Sequence, residues 1–184
     1  MSHPPFARRL RLALARRWRL IAVRRLFPRV RFGAGCDVRA GLFLSVGPQG
    51  SVEFGPECVL DRSLTIEAEG RLSVGARTIF GHHCTLAARD SLEIGEDCLL
   101  AEMVSVRDHD HCFDRLDIPV REQGAVSAPV KIGRNVWLGA KVTVVKGVTI
   151  GDNAIVGANA VVTKDIPPNA IAVGVPARVV RYRE

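Results

Sequence analysis

The chain has 184 residues, 47% of them hydrophobic, with 17 glycines and 10 prolines but only 5% aromatics, which fits one turn-rich domain whose continuous core is built from small and β-branched side chains. Its net charge of +7 is uneven, because residues 1–31 hold ten arginines and no acid, which leaves a net of −3 for the remainder. A nucleic-acid-binding body is therefore not implied, and an acidic partner is expected only for the N-terminal segment.

No stretch reads as a secretion signal or is apolar for long enough to cross a bilayer, so a cytoplasmic location is expected. After Pro4-Pro5, residues 6–27 suit a helix that Pro28 ends. Leu10, Leu14, Trp18 and Ile21 fall on one face, but Arg17 and Arg25 intrude on it, so the helix is only moderately amphipathic. Two roles stay open for residues 1–31. The basic helix could lie in an anionic headgroup layer on the inner face of the cytoplasmic membrane, or it could cap the domain that follows.

That domain, residues 32–184, is organised by a six-residue beat. From Ile132 to Ile166, openings at Ile132, Leu138, Val144, Ile150, Val156 and Val162 are each followed four places on by a second small or aliphatic residue: Val136, Val142, Val148, Ala154, Ala160 and Ile166. Neither the 3.6 period of a helix nor the period of 2 of a strand produces this, whereas a parallel β-helix of hexapeptide repeats does. Upstream, Phe32-Gly33, Val38 and Leu44 form an irregular first coil, and Phe54-Gly55, Val74-Gly75 and Ile94-Gly95 then recur at intervals of 20. The two residues beyond three hexapeptides belong to a closing turn that begins at Gly50, Gly70 or Asp90. Pro167-Pro168 stop the repeat, and 167–184 reads as a tail that turns back in extended form.

Of the five cysteines, Cys36, Cys58, Cys84 and Cys98 each stand four places after an opening residue and read as small inward hydrophobes. No pair has metal-ligand spacing. Cys112 lies outside the repeat. So does the whole of 107–131, where about 20 residues are looped out, a length that in a compact domain usually serves function. The loop holds Asp108-His109-Asp110-His111-Cys112-Phe113-Asp114, with three acids and two of the five histidines in seven residues. A loop on a rigid scaffold is a natural place for acid–base chemistry.

The run Ile132-Gly-Arg-Asn-Val-Trp137-Leu-Gly139-Ala140, with Val162-Thr-Lys164-Asp-Ile-Pro-Pro168 and Gly174-Val-Pro-Ala-Arg178, resembles the hexapeptide-repeat acyltransferases, especially the sugar O-acetyltransferases akin to maltose, galactoside and nodulation acetyltransferases. The resemblance spans about residues 32–181. It implies an all-β, left-handed parallel β-helix with a protruding catalytic loop, acetyl-CoA as acyl donor, no metal, and a homotrimer with active sites between subunits.

The resemblance also implies roles. His111 corresponds to the catalytic base, with Asp114 in an H-x-x-D relation, and His109 is its rival or its support. His83 stands where relatives have an acceptor-facing asparagine. The corner Gly139-Ala140 corresponds to the oxyanion-binding turn, Ala158 and Thr163 to the pantetheine path, and Lys164 and Arg181 to charge partners of the nucleotide phosphates. The expected reaction is O-acetylation of a sugar hydroxyl, on a cell-surface polysaccharide or lipid-linked glycan precursor. A serine acetyltransferase-like or other small-molecule acyltransferase is the alternative within the class. Outside it stands a γ-carbonic-anhydrase-like zinc enzyme, with His83, His109 and His111 converging on the metal.

Overall fold

The computed structural model describes the backbone of residues 6–184 and the side chains from Leu14 onward, Arg17 excepted. Leu10 and Arg17, which the sequence assigns to the helix face, therefore lie outside the described side chains, and Pro4-Pro5 outside the described residues.

From Val30 the chain winds into a parallel β-helix with three faces. The first face stacks Val30–Phe32, Ser51–Phe54, Arg71–Val74, Ser91–Ile94, Val130–Ile132 and Thr149–Ile150. The second stacks Asp37–Val38, Val59–Leu60, Ile79–Phe80, Leu99–Leu100, Trp137–Leu138, Ile155–Val156 and Ala170–Val173, and the third runs from Phe43–Val46 to Val161–Val162. Inward positions pair aliphatic with aliphatic, as Val52 with Leu72, Leu72 with Leu92 and Leu92 with Val130. The beat in the sequence is thus the beat of stacking. From Phe54 onward the opening residues and the small residues four places later are buried in one continuous core, with Leu42 and Leu44 of the first coil partly buried against it.

The 20-residue coils differ from the 18-residue ones at a single corner. Between the third face and the first, strands such as Thr65–Ala68 and Arg71–Val74 grow to four residues around the turn Glu69-Gly70. A Cβ on Gly70 would come within 2.0 Å of the Asp90 carbonyl oxygen of the next coil, so only glycine fits there.

The four repeat cysteines point inward as expected. Their thiols donate to carbonyls one coil on: Cys36 to Gly55 at 3.2 Å, Cys58 to Gly75 at 3.1 Å, Cys84 to Ala101 at 3.0 Å and Cys98 to Gly133 at 3.1 Å. Thr78, in the same column as Cys58 and Cys98, uses its hydroxyl on Gly95 in the same way. A buried thiol column is therefore a column of satisfied weak donors.

The two ends are closed differently. The helix Phe6–Leu26 packs Leu20, Val23 and Phe27 on the first coil. Carbonyls on that coil's outer edge have no preceding coil to bond, and arginine guanidiniums take the vacant role: Arg19 donates to the Val38 carbonyl at 3.3 Å and Arg24 to that of Phe32 at 3.0 Å. Arg16 pairs with Asp37 at 3.2 Å. The segment is thus a cap joined to the first coil, not a free arm. At the other end Arg178–Tyr182 folds back antiparallel on Ala170–Val173, as the tail pattern suggests.

Burial pushes the Cys84 thiol up to about 11 and raises that of Cys98 as well, so both stay as unreactive thiols at neutral pH. Iodoacetamide at about pH 8 should accordingly modify Cys112 in the native protein and leave Cys84 and Cys98 untouched until denaturant is added. Peptide mapping reads this out, and rapid native labelling of either core cysteine would contradict the packing.

Candidate active site

The looped-out segment is an ordered hairpin. His109–His111 pairs antiparallel with Ala125–Ser127, with His109 opposite Ser127 and His111 opposite Ala125. Side chains alternate along a strand, so His109 and His111 project from one face of the hairpin and Asp110 from the other. Asp110 ties the hairpin down, accepting from Lys146 Nζ at 2.5 Å. The tip is braced by Gln123, whose amide donates to the Arg115 and Ile118 carbonyls at 2.7 and 3.1 Å.

The residue that anchors the site is Asp108, to which the sequence gives no role. It continues the inward column Val46, Ala68, Ala88 one coil later, and its side chain is fully buried. Its Oδ1 accepts from the Arg89 N–H at 2.8 Å and its Oδ2 from the Asp90 N–H at 2.7 Å. Oδ1 also meets His109 Nδ1 at 3.0 Å. An ionised carboxylate can only accept, so Nδ1 is the donor in this contact, and in the neutral imidazole that leaves Nε2 as the acceptor. An acid in a column otherwise filled by Val and Ala was the signal for this role.

The expected pairing of Asp114 with His111 is replaced by this one. The carboxylate that reaches a histidine is Asp108, because Asp114 lies beyond the paired strand in exposed loop, while His111 is exposed on the hairpin. His109, about a quarter exposed, borders a hollow of about 80 Å³ with Glu67, Glu69 and Arg89.

His83 sits elsewhere, at the corner between the second and third faces. It holds the left-handed turn position, φ 60°, and donates its N–H to the Arg62 carbonyl at 3.0 Å. His82, His83, Arg62 and Ser63 line a concavity of about 350 Å³ there. Gly139, Ala140 and Ala158 stack further along this corner, with the Asn159 N–H bonded to the Ala140 carbonyl at 2.8 Å. A Cβ on Gly139 would meet Ala158 N at 2.6 Å, so this glycine lets the corner close. The Gly139 N–H is spent on the Val156 carbonyl at 2.8 Å, whereas among the described residues that of Ala140 has no acceptor. Of the two N–H groups at this corner, the one left without an acceptor is therefore that of Ala140.

Thr163 and Lys164 follow the last third-face strand and so lie toward the hairpin corner, while Arg181 lies on the returning tail, paired in register with Ile171. The sequence-derived site residues therefore fall into separate groups. His109, His111, Thr163 and Lys164 lie at one edge of the third face, His83, Gly139, Ala140 and Ala158 at the other, and Arg181 on the second. A pantetheine path touching both Ala158 and Thr163 of one chain would have to cross that face. Nor do His83, His109 and His111 of one chain gather into a zinc site, and no group of three metal-ligating side chains forms among the described residues.

Comparison with known proteins agrees with this architecture. Residues 129–164 match the family described as bacterial transferase hexapeptide (six repeats). The chain is 34% identical over 173 residues to "Probable acetyltransferase Rv3034c" of Mycobacterium tuberculosis, covering 93% of this chain and 58% of that protein. It is 38% identical over 133 residues to nodulation protein L of Rhizobium meliloti, covering 71% of this chain and 70% of that one. Among solved structures, a galactoside acetyltransferase in complex with coenzyme A superposes with a TM-score of 0.63 at 28% identity, over 98% of this chain and 73% of that one. With its relatives matched across the repeat and the loop, the chain belongs to the bacterial hexapeptide-repeat acyltransferase family.

Proposed function

We propose that the protein is an acetyl-CoA-dependent O-acetyltransferase acting on a sugar hydroxyl, with a cell-surface polysaccharide or lipid-linked glycan precursor as acceptor. The observation that carries this is the pair of imidazoles on one face of a fixed hairpin, in a chain that aligns over 98% of its length with a galactoside acetyltransferase bound to coenzyme A. The proposed location is cytoplasmic, at the inner face of the membrane.

A sugar hydroxyl is a weak nucleophile, so a neutral imidazole must take its proton as the oxygen attacks the thioester carbonyl. The tetrahedral oxyanion then accepts from a preorganised donor, for which the Ala140 N–H is suited. Collapse breaks the C–S bond, and the imidazolium returns its proton to the departing thiolate. Lys164 and Arg181, both exposed, are the proposed partners of the nucleotide phosphates.

The hairpin and the Ala140 corner stand at opposite edges of the third face, so the reaction needs a neighbouring copy to bring the two halves together. Supporting that assembly, the outward residues of the second face form an apolar ladder in register: Val59, Ile79, Leu99, Trp137, Ile155, Ile171. Leu99 and Trp137 are 47% and 50% exposed, so the ladder presents a contiguous apolar stripe to solvent, a feature that marks interaction surfaces. A homotrimer, closed by three-fold symmetry, buries three such ladders and sets each hairpin against a neighbour's corner.

His111 is the proposed base, exposed where an acceptor can reach it, with the Asp108–His109 pair holding its strand in place. The Asp108 hydrogen bond favours a second reading, in which His109 is itself the base and Asp108 fixes its tautomer, the logic of a catalytic triad. Single substitutions separate the two. His111→Ala is expected to lower acetyl-CoA turnover about 10²- to 10⁴-fold with little change in thermal midpoint. His109→Ala should then leave most of kcat, and the reverse pattern, with Asp108→Asn matching His109→Ala, would transfer the role to His109.

Assembly has its own test. Trp137→Asp places a charge in the middle of the ladder without touching the core, so the chain should stay folded yet elute as a monomer that turns over no thioester. Full activity in a monomeric fraction would remove the shared site.

A further inference from the structure

The N-terminal helix has two sides, and only one of them is used. At about 100° per residue, Arg16, Arg19, Leu20, Val23, Arg24 and Phe27 share the side that caps the first coil. On the opposite side Leu14 and Trp18 are 50% and 67% exposed, and Leu26, on the flank beside Arg19, is 73% exposed. Beyond the helix lies an open hollow of about 410 Å³ lined by Leu26, Phe27, Pro28, Arg29, Val46 and Pro48. This tryptophan and these two leucines are not needed for the cap, and capping leaves them in water at a real cost.

Charge indicates what covers this stripe. Three of the ten N-terminal arginines are consumed in capping, while Arg25, in line with Trp18 two turns earlier, and Arg29 and Arg31, beyond the helix, have exposed side chains, and no acid occurs anywhere in residues 1–31. A second copy meeting this side through its own helix would bring cation against cation, and with the remainder of the chain at a net of −3 the attraction to an anionic surface is confined to this helix. A bilayer rich in anionic headgroups supplies both apolar depth for the stripe and negative charge for its rim. No described helix is long and apolar enough to cross a membrane, so the contact is a helix lying in the interface.

We propose that the exposed side of the helix docks the protein on an anionic lipid surface, with Trp18, Leu14 and Leu26 inserted among the headgroups and Arg25 and Arg29 against the phosphates. One surface of the helix therefore closes the β-helix and the other addresses the membrane. In a three-fold assembly all three helices cap the same end of the prism and act together, which multiplies a weak single contact.

Flotation of the full chain with vesicles tests this. With phosphatidylcholine vesicles containing about one quarter phosphatidylglycerol, the protein should float at low salt and be released as salt shortens the screening length to about 3 Å. It should not float with phosphatidylcholine alone. The triple change Leu14→Ser, Trp18→Ser, Leu26→Ser spares every capping contact, so it should keep its thermal midpoint and its thioester turnover while losing flotation about tenfold or more. Trp18→Phe keeps the stripe apolar. It should still float, but it should lose most of the quenching by brominated lipid that the wild-type tryptophan shows. No flotation of the intact protein, equal flotation of the triple variant, or a change of oligomer size in the triple variant without lipid would each overturn the proposal. Because turnover is read in the same samples, a failure here leaves the acetyltransfer reading standing on its own measurements.

Discussion

Everything in this molecule depends on the backbone ladder that joins each coil to the next. A strand of two or three residues is too short to be stable alone, but here each passes its hydrogen bonds forward to the equivalent strand one coil on, as Gly33 does to Phe54 at 2.8 Å and Gly55 to Val74 at 2.7 Å. Registry then forces equivalent side chains into columns, so a residue is judged by its column rather than by its neighbours in sequence. Cysteine, threonine and valine can share one inward corner because all three are small and each polar atom finds the same carbonyl.

The ladder also dictates where anything else can go. Its interior admits no insertion that breaks registry, so the hairpin leaves at the corner after the third face and the chain resumes on the first, with Val130 in register beside Leu92. Its two ends expose unpaired backbone and must be covered. One is covered by a helix whose arginines reach orphan carbonyls, the other by an antiparallel strand. Asp108 joins scaffold to site: it occupies a core column, yet both its oxygens are taken by backbone N–H groups and one also orients His109. A buried carboxylate so fully paired is rigid, and it fixes the first histidine of the hairpin to the coil.

The repeat was legible because a six-residue period has one structural solution. The extra two residues per early coil, the inward cysteines, the helix ended by Pro28 and the looped-out segment all followed from counting. Counting could not show what lay between the beats. Whether residues 107–131 were ordered depended on the pairing of Ala125–Ser127 with His109–His111, a contact with no period. The sequence placed Asp114 beside His111 by local spacing, whereas Asp108 reached His109 through a column that stacking, not adjacency, creates. The sequence left the basic helix open between a headgroup layer and a cap, since nothing in the chain announces which arginines will meet unpaired carbonyls. The separation of Ala158 from Thr163 by the width of a face was hidden for the same reason, because linear distance says little about which corner a residue occupies.

Scaffold and hairpin are therefore separable: the ladder carries stability, and under the proposed function the hairpin carries the reaction. The Ala128 N–H donates to the Asp108 carbonyl at 2.8 Å, so the hairpin can be excised and its two stems joined by Asn-Gly in a two-residue turn. Thermal unfolding and thioester turnover of this shortened protein, set beside the intact chain, test the separation most directly. A midpoint within about 5 °C of wild type, with turnover at the uncatalysed level, is the predicted result. Unfolding of the coil on excision, or turnover that survives without either hairpin histidine, would contradict it.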